Sequence, residues 1–342
     1  MIVLGIESSC DETAAAIVND RREILGDCVL TQLEHKIYGG VVPEIAARSH
    51  LEHIDDILEE TFKRADLKPS DIDAVAASSG PGLIGGVVIG VMAAKALALA
   101  LNKPFIAVNH LEGHALAARL TNDVEYPYLL LLVSGGHCQI LIVKGVGDFE
   151  RLGTTIDDAA GEAFDKVARL MGLTYPGGAK MDKLAALGDP GAVFFPEAHV
   201  KDSPYDFSFS GLKTAAINHL HTLSQKGLDF SKEDVAASFT AAVCKALSSR
   251  VEKLFESPEF TSKKLVLAGG VSANSHIRKA LGELCKKHGV TLYLPPLPLC
   301  GDNGVMIAAQ GYYEFIGKTA DFRNLALNAY ATADVECGAD EF

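Results

Sequence analysis

The stretch that decides the fold is YLLLLVSGGHCQILIV, residues 128–143, in which a short polar turn separates two apolar runs. A second stretch near the start, IVLGIESSCDETAAAIV, residues 2–18, has the same order of apolar run, polar turn and apolar run. An apolar run that enters a turn and returns is typical of a β-hairpin. One such turn is an ordinary hairpin, but two of them, each opening one half of the chain, predict a duplicated fold with a central cleft.

Strand and helix patterns alternate along the rest of the chain. Strands are predicted at 74–78, 105–108 and 265–268, and helices at 43–62, 109–120, 162–171, 179–187, 212–223 and 234–255. This alternation is typical of an α/β architecture. In the helix over 43–62, one face is predicted to be apolar at helical spacing and consists of Ala47, Leu51, Ile54, Leu58 and Phe62.

Length and composition limit the domain organisation. The 342 residues, 48% of them hydrophobic, are enough for about two domains with a core each. The patterns divide the chain into an N-terminal lobe, 1–124, a C-terminal lobe, 125–330, and an acidic tail, 331–342. For the last helix, expected over 303–316, two placements are left open: packing within the second lobe or packing back on the first lobe.

The composition also bears on where the protein acts. Its seven cysteines are scattered without CxxC spacing, which argues against a disulfide framework or a zinc knuckle. The first residues lack a basic region and read as a strand, not as a signal peptide. The apolar run 82–101 is interrupted by Lys95, which favours a buried helix over a membrane span. We therefore expect a cytoplasmic protein with no membrane partner.

The charge balance argues against a nucleic-acid partner. The chain has 44 acidic and 31 basic side chains, for a net charge of −13, whereas nucleic-acid binders are expected to carry a basic footprint. A local basic cluster is either a solvated helix face or an RNA-binding surface, and it consists of Lys166, Arg169, Lys180, Lys183, Lys201 and Lys213.

Two histidines four residues apart, His110 and His114, fall at the opening of a predicted helix that Asn109 is able to cap. This spacing places both imidazoles on one helix face, as a metal ion requires, although two polar residues at a helix start are the simpler interpretation. A metalloprotease needs HExxH, and the sequence here is HLEGH, with its glutamate one place late. Asp302 is a candidate third ligand or, alternatively, a helix cap.

Three further segments have the composition of substrate or proton-transfer sites. The Ser-Gly-Gly turn at 134–136 presents backbone N–H groups without Cβ crowding, which suits a phosphate. The segment GGVSAN, residues 269–274, follows a strand and opens a helix, a place where anions and ribose hydroxyls are commonly held. The adjacent acids Asp11 and Glu12 are either solvated turn residues or groups that move protons near a phosphate.

Taken together, these motifs resemble a known family. The first lobe has YGGVVPE (38–44), SGPGL (79–83) and HLEGH (110–114), and the second has VSGGH (133–137), GGVSAN (269–274) and GDNG (301–304). In this order they resemble the TsaD/YgjD family, the tRNA N6-adenosine threonylcarbamoyltransferases of bacterial type, from residue 1 to about 316. The resemblance implies the duplicated two-lobed α/β fold shared by actin, sugar kinases and heat-shock chaperones (the ASKHA fold), with a nucleotide cleft.

The resemblance also implies the site residues. The metal ligands would be His110, His114 and Asp302, and the residues implicated in activity would be Asp11 and Glu12. The substrate contacts would be Val133, Ser134, Gly135, Gly136, His137, Asp165, Gly178, Asp182 and Asn274. Two departures stand out: Cys138 replaces the threonine usual after the turn, and the bacterial ending rich in Arg, Trp and Pro is missing after Phe322.

By the same resemblance, the chain would transfer a threonylcarbamoyl group from threonylcarbamoyl-AMP to the N6 amine of adenosine 37 in tRNAs that read codons beginning with A. One divalent metal ion per chain is expected, with Fe(II) favoured over Zn(II), although the N/O ligands themselves suit both metals. The expected partners are tRNA, a paralogous inactive subunit (TsaB-like) and a small P-loop ATPase (TsaE-like). The alternatives on the same fold are an ATP-dependent small-molecule kinase and an ATP-binding regulatory protein.

Overall fold

The computed structural model describes residues 1–197, 200, 203–258, 260–317 and 329–331. These residues form two compact units. Unit 1 contains residues 1–126, 143–150 and the described residues from 295 onward, and unit 2 contains 127–142 and 151–294. Relative to the expected lobes, 1–124 and 125–330, unit 1 also takes the last helix. The acidic tail expected over 331–342 lies outside the described residues except for Ala331.

Ten strands and nine α-helices are found in the described residues. The strands are β1 Ile2–Glu7, β2 Glu12–Asn19, β3 Ile24–Thr31, β4 Ala74–Gly80, β5 Phe105–Asn109, β6 Tyr128–Val133, β7 Cys138–Gly145, β8 Asp148–Thr154, β9 Lys264–Ala268 and β10 Thr291–Tyr293. The helices are α1 Pro43–Ala65, α2 Ile84–Leu101, α3 His110–Thr121, α4 Ala160–Leu170, α5 Gly178–Ala185, α6 Ser210–Gln225, α7 Lys232–Glu256, α8 Ser275–His288 and α9 Gly304–Gly317.

The two sheets have the same strand order, which confirms the predicted duplication. In unit 1 the order is β3-β2-β1-β4-β5, and in the second sheet it is β8-β7-β6-β9-β10. In the first sheet β1 pairs antiparallel with β2 and parallel with β4, and in the second β6 pairs parallel with β9. Each sheet is therefore a hairpin extended by parallel strands, as an α/β fold with crossover helices requires.

Helix α9 packs closely on the first sheet because glycines face each other across the contact. A Cβ atom on Gly5 would lie 2.2 Å from the backbone nitrogen of Ala308, and one on Gly304 would lie 2.4 Å from the carbonyl carbon of Ala15. Any larger residue at either position would push the helix away from the sheet. This packing fixes the turn that precedes α9, which carries Asp302.

Helix α1 begins at Pro43 as predicted, but its buried face differs from the predicted one. Ile54 and Phe62 are buried, whereas Leu51 is 69% exposed. The helix buries His50 in place of its neighbour Leu51. The apolar spacing therefore predicts the wrong buried residue at this turn. The inward-facing position is taken by His50, a polar side chain whose hydrogen-bond partners lie inside the protein.

Helix α2 buries only one side. Its inner side consists of small residues such as Gly90, Ala94 and Ala98, while Met92 and Leu99 are 58% and 70% exposed. Within the described residues it is the one helix that is long and apolar enough to cross a membrane, and a third of it is buried. The expectation of a buried helix is thus met by the inner side and not by the outer one.

Candidate active site

The start of α3 presents two histidines on one face. Asn109 ends β5, and its Oδ1 accepts hydrogen bonds from the backbone nitrogens of Leu111 at 2.9 Å and Glu112 at 3.3 Å. This cap satisfies the first free amides of the helix and fixes the residue at which it begins. His110 and His114 then lie one turn apart, with ring centroids separated by 4.8 Å. The cap and the four-residue spacing predicted from the sequence are both present.

Asp302 completes the group. Its Oδ1 lies 3.0 Å from His114 Nε2 and 3.7 Å from His110 Nε2. One ligand atom from each of the three residues lies within 4.8 Å of the other two, which suits a single ion. The helix cap, which was the alternative interpretation of Asp302, is instead Asn303. Its Oδ1 accepts a hydrogen bond from the backbone nitrogen of Met306.

Glu7, which was not predicted as a site residue, orients the first histidine. Its Oε2 lies 3.0 Å from His110 Nδ1, and its Oε1 accepts a hydrogen bond from the backbone nitrogen of Ser9 at 2.5 Å. A protonated Nδ1 that donates to a carboxylate leaves Nε2 as the nitrogen available to a metal ion. The only sequence signal for this role is an acid at the end of a buried strand, β1.

The site is rich in negative charge, and the effect of that charge on nearby pKa values indicates whether the site suits a cation. Burial alone would lower the pKa of His110, but the carboxylates of Glu7 and Asp302 outweigh it and raise that pKa to about 9. Burial raises the pKa of Glu12 well above its usual range, and the carboxylates of Asp302 and Asp11 raise it further. These carboxylates favour a positive charge at the histidines, and a divalent ion supplies it.

A second group with metal-ligand spacing lies in unit 2. It consists of Glu252, Glu256 and His288, near the ends of α7 and α8. Lys287 Nζ lies 2.6 Å from Glu252 Oε1 and already provides a positive charge there. We therefore place the candidate metal centre at the three residues in unit 1.

The predicted Ser-Gly-Gly turn lies on the first turn of α4. The backbone nitrogens of Gly161 and Glu162 donate to the carbonyl oxygens of Ser134 at 3.3 Å and Gly135 at 3.2 Å. His137 closes the turn, because its nitrogen donates to Ser134 Oγ at 3.1 Å. A Cβ on Gly161 would lie 2.7 Å from the Ser134 oxygen, so this close approach needs a glycine.

The two glycines of the turn are open on their outer side. A Cβ atom built on Gly135 or Gly136 meets no atom within 4 Å. Across the described parts of the chain, neither backbone N–H of the pair donates a hydrogen bond. Two such N–H groups beside a helix N-terminus form a surface that suits an anion or a carbonyl oxygen.

The other predicted substrate residues shape neighbouring loops of unit 2. Asp165 Oδ1 accepts hydrogen bonds from the nitrogens of Gly177 at 2.7 Å and Gly178 at 3.3 Å. Asp182 Oδ1 lies 3.0 Å from the nitrogen of Ser275 and 2.9 Å from His276 Nδ1. Both aspartates are therefore tied to backbone, and they hold the loops in place.

Asn274 caps α8, which begins at Ser275 and so opens directly after the predicted 269–274 segment. Its Oδ1 accepts from the nitrogens of His276 and Ile277, both at 3.0 Å, and a 3₁₀ turn over Gly270–Ala273 precedes it. Gly269 has a φ of 87°, and a Cβ there would lie 2.4 Å from the Val133 oxygen. This contact brings the 269–274 loop against the end of β6, next to the Ser-Gly-Gly turn. The predicted metal residues thus gather in unit 1 and the predicted substrate residues in unit 2.

Comparison with solved structures defines the class of protein. The fold is similar to that of (R)-2-hydroxyglutaryl-CoA dehydratase component A from Acidaminococcus fermentans, with a TM-score of 0.54 and 17% identity over 93% of this chain and 100% of that one. It is also similar to a ROK family glucokinase from Streptomyces griseus, with a TM-score of 0.50 and 12% identity over 91% of this chain and 98% of that one. The chain is therefore an α/β protein of the actin-like and sugar-kinase fold.

Sequence comparison identifies the family within that class. The model of the TsaD family, tRNA N6-adenosine threonylcarbamoyltransferase, matches residues 23–309. A relative of that name from Paramagnetospirillum magneticum is 56% identical over 315 residues, which are 91% of each chain. The chain belongs to the TsaD family, which confirms the resemblance drawn from its motifs.

Proposed function

We propose that this chain transfers the threonylcarbamoyl group of threonylcarbamoyl-AMP to the N6 amine of adenosine 37 in tRNAs that read codons beginning with A, and that it releases AMP. The observation that carries the proposal is the group of His110, His114 and Asp302 in a chain that matches the family over 23–309. Phosphoryl transfer by a kinase has no need for this pair of histidines. The metal group therefore favours acyl transfer over the kinase and regulatory alternatives.

A divalent metal ion bound by His110, His114 and Asp302 would supply a Lewis acid for the acyl oxygens. The protein's own contribution begins with Glu7, which holds His110 so that Nε2 faces Asp302. The three ligands are two imidazoles and one carboxylate, a set that both iron and zinc accept. We propose Fe(II) ahead of Zn(II) as the native ion.

Asp11 and Glu12 are the residues that we propose to move a proton. The N6 amine must lose a proton when it attacks, because its lone pair is conjugated with the purine ring. Burial, and after it the neighbouring carboxylates of Asp302 and Asp11, raise the pKa of Glu12 well above its usual range, so Glu12 holds a proton more readily than an ordinary carboxyl group. A carboxyl group with a raised pKa next to a second carboxyl group suits general acid–base chemistry, which is the role that we propose for the two residues.

The adenylate is proposed to bind to unit 2. The open N–H groups of Gly135 and Gly136, at the first turn of α4, suit the phosphate or acyl oxygen. Asn274 lies in the loop that contacts the end of β6, Asp182 on α5 accepts a hydrogen bond from the nitrogen of Ser275, and Asp165 keeps Gly178 in position. A Cβ atom at either glycine would occupy space that the protein itself leaves empty, so we propose that the adenylate fills that space.

The binding of tRNA is proposed to require a partner. The predicted basic cluster is partly neutralised, because Lys166 and Lys213 both pair with Asp158, and Lys166 also pairs with Glu162. Lys201 of the same cluster lies outside the described residues. With a net charge of −13, the chain gains phosphate contacts from a second subunit more readily than from its own surface.

The outer face of α1 and α2 is the surface that we propose for that partner. It consists of exposed apolar side chains on both helices: Leu51, Ile84, Val88 and Met92. Apolar patches of this kind mark protein interaction sites. We propose a paralogous, catalytically inactive subunit (TsaB-like) on this face, a P-loop ATPase (TsaE-like) in the same assembly, and a cytoplasmic site of action.

The test of the proposal is nucleoside analysis. A bacterial strain depleted of its own TsaD protein is complemented with this chain, and its tRNA is digested to measure threonylcarbamoyladenosine. The wild-type chain should restore the nucleoside, and a folded His110→Ala/His114→Ala variant should not. Restoration by the double variant would contradict the metal role. A folded wild-type chain that restores nothing, yet phosphorylates a small molecule with ATP, would favour the kinase alternative.

A further inference from the structure

His50 is fully buried on α1 and faces the first hairpin. Its Nδ1 lies 2.8 Å from Thr13 Oγ1, and its Nε2 lies 3.0 Å from the carbonyl oxygen of Cys10. A carbonyl only accepts, so Nε2 carries the proton and Nδ1 accepts from the threonine hydroxyl. Burial lowers the pKa of His50, which favours this neutral form.

The hydrogen bonds continue from His50 into a buried chain. Gln32 Nε2 lies 3.4 Å from His50 Nδ1, and Gln32 Oε1 lies 2.9 Å from His35 Nε2. The nitrogen of Val42 donates to His35 Nδ1 at 3.3 Å. The Gln32 amide nitrogen also donates to the carbonyl oxygen of Ala46 at 3.3 Å, so Thr13 and Gln32 do not depend on the same lone pair of His50. A buried network that is satisfied in this way specifies one geometry.

The network holds two successive carbonyl groups beside the acidic pair. His50 binds the carbonyl of Cys10, and the backbone nitrogen of Gln32 donates to the carbonyl of Asp11 at 3.0 Å. These two carbonyls flank the residue that carries the Asp11 carboxylate, and Glu12 follows directly. The imidazole itself is confined, because a Cβ on Gly86 would lie 2.9 Å from its ring.

We propose that His50 is a positioning residue for the reaction: through Thr13 and the Cys10 carbonyl it fixes the backbone that aims Asp11 and Glu12. The proposal rests on the proposed proton-transfer role of that acidic pair. In the described part of the chain, the hydrogen bonds of His50 go to Thr13, Cys10 and Gln32 and to none of the three metal ligands, so we expect its replacement to leave metal content and adenylate affinity as they are. A displacement of about 1 Å at a reacting group lowers the rate by about 100-fold.

Two matched pairs of variants test the proposal in the complete assembly with tRNA. Glutamine at position 50 keeps one donor and one acceptor, whereas leucine keeps neither, so His50→Gln should retain most of kcat and His50→Leu should lose about 10- to 100-fold. Thr13→Ser and Thr13→Val form the second pair, which keeps or removes the hydroxyl. KM for tRNA and the metal content should stay constant in all four variants.

The outcomes separate a positioning role from a structural one. Wild-type kcat in both His50→Leu and Thr13→Val would overturn the proposal, as would an equal loss in both members of each pair. A loss of kcat that follows metal content or melting temperature would also overturn it. If the wild-type assembly itself transfers no label, the proposed function fails and this proposal falls with it. If the wild type is active and the variants have the same kcat as the wild type, only the positioning role is refuted.

Discussion

Replacing Glu7 with glutamine should weaken metal binding through His110, although Glu7 is not itself a ligand. The carboxylate accepts two hydrogen bonds, from the Ser9 nitrogen at 2.5 Å and from His110 Nδ1 at 3.0 Å. Glutamine has the same shape but a single acceptor oxygen, so its NH₂ group must face one of the two donors. If it faces His110, the NH₂ group favours the imidazole with its proton on Nε2, where it blocks the ligand nitrogen, and among the described residues only Ser9 Oγ at 3.1 Å is left to accept a proton from Nδ1.

The size of the expected loss, in metal affinity or in the free energy of unfolding, follows from the burial of Glu7, Ser9 and His110. Loss of a partner that orients a metal-bound histidine costs about 10- to 100-fold in affinity, which corresponds to about 1.4 to 2.8 kcal/mol. If the NH₂ group faces Ser9 instead, two buried donors oppose each other, and the free energy of unfolding falls by about 1 to 3 kcal/mol. Either orientation therefore has a measurable consequence.

The assay is a Zn²⁺ titration against a chromophoric chelator, with chemical denaturation of the same samples. Glu52→Gln is the matched control, because Glu52 is exposed on α1. The control should bind zinc as the wild type does. Wild-type zinc affinity together with wild-type stability in Glu7→Gln would refute the assignment of Glu7 as the group that orients His110.

Three further predictions concern the metal, the turn and pH. His110→Ala/His114→Ala should lose most of its bound transition metal by elemental analysis, and retained metal would show that the centre is misplaced. Gly135→Val should fold, since Gly135 lacks a positive φ, and should lose AMP binding by calorimetry; unchanged affinity would reduce the turn to a structural role. Burial opposes ionisation of Asp157, but hydrogen bonds from two serine hydroxyls and two backbone amides at the start of α6 outweigh it and lower its pKa. Its stabilising effect is therefore present above the unfolded pKa and lost as the pH falls through the folded pKa, so Asp157→Asn and wild type should converge in acid denaturation; a constant difference would contradict this role of the hydrogen bonds.

Local patterns predicted the elements whose boundaries are set by local chemistry. The strand at 128–133 ends at the predicted turn, and α3 runs over 110–121, one residue later than the predicted 109–120, because Asn109 is its cap. Strand β3 was missed because half of its residues are exposed and Gly26 and Asp27 interrupt its pattern. The three-residue strand β10 is too short to leave a pattern at all.

The site was predictable only where ligands follow one another at helical spacing. His110 and His114 are of this kind, whereas Asp302 had two interpretations, a third ligand or a helix cap, until the family resemblance favoured the ligand. Glu7 contacts a residue 103 positions away, and His50 contacts Cys10 across 40 positions. Those contacts depend on how β1, α1 and α3 pack in unit 1, and no sequence spacing records them.

Transfer of radiolabelled threonine to unmodified tRNA tests the central claim most directly. The complete set contains this chain, the paralogous subunit, the P-loop ATPase and threonylcarbamoyl-AMP, and the label is located by nucleoside digestion. We predict label on adenosine with the complete set, a yield that falls as salt rises, and little label from this chain alone, because its net charge of −13 opposes tRNA. Absence of label from the complete set, with every component folded and metal-loaded, would contradict the proposed function. Full turnover by the isolated chain, insensitive to salt, would contradict the need for a partner.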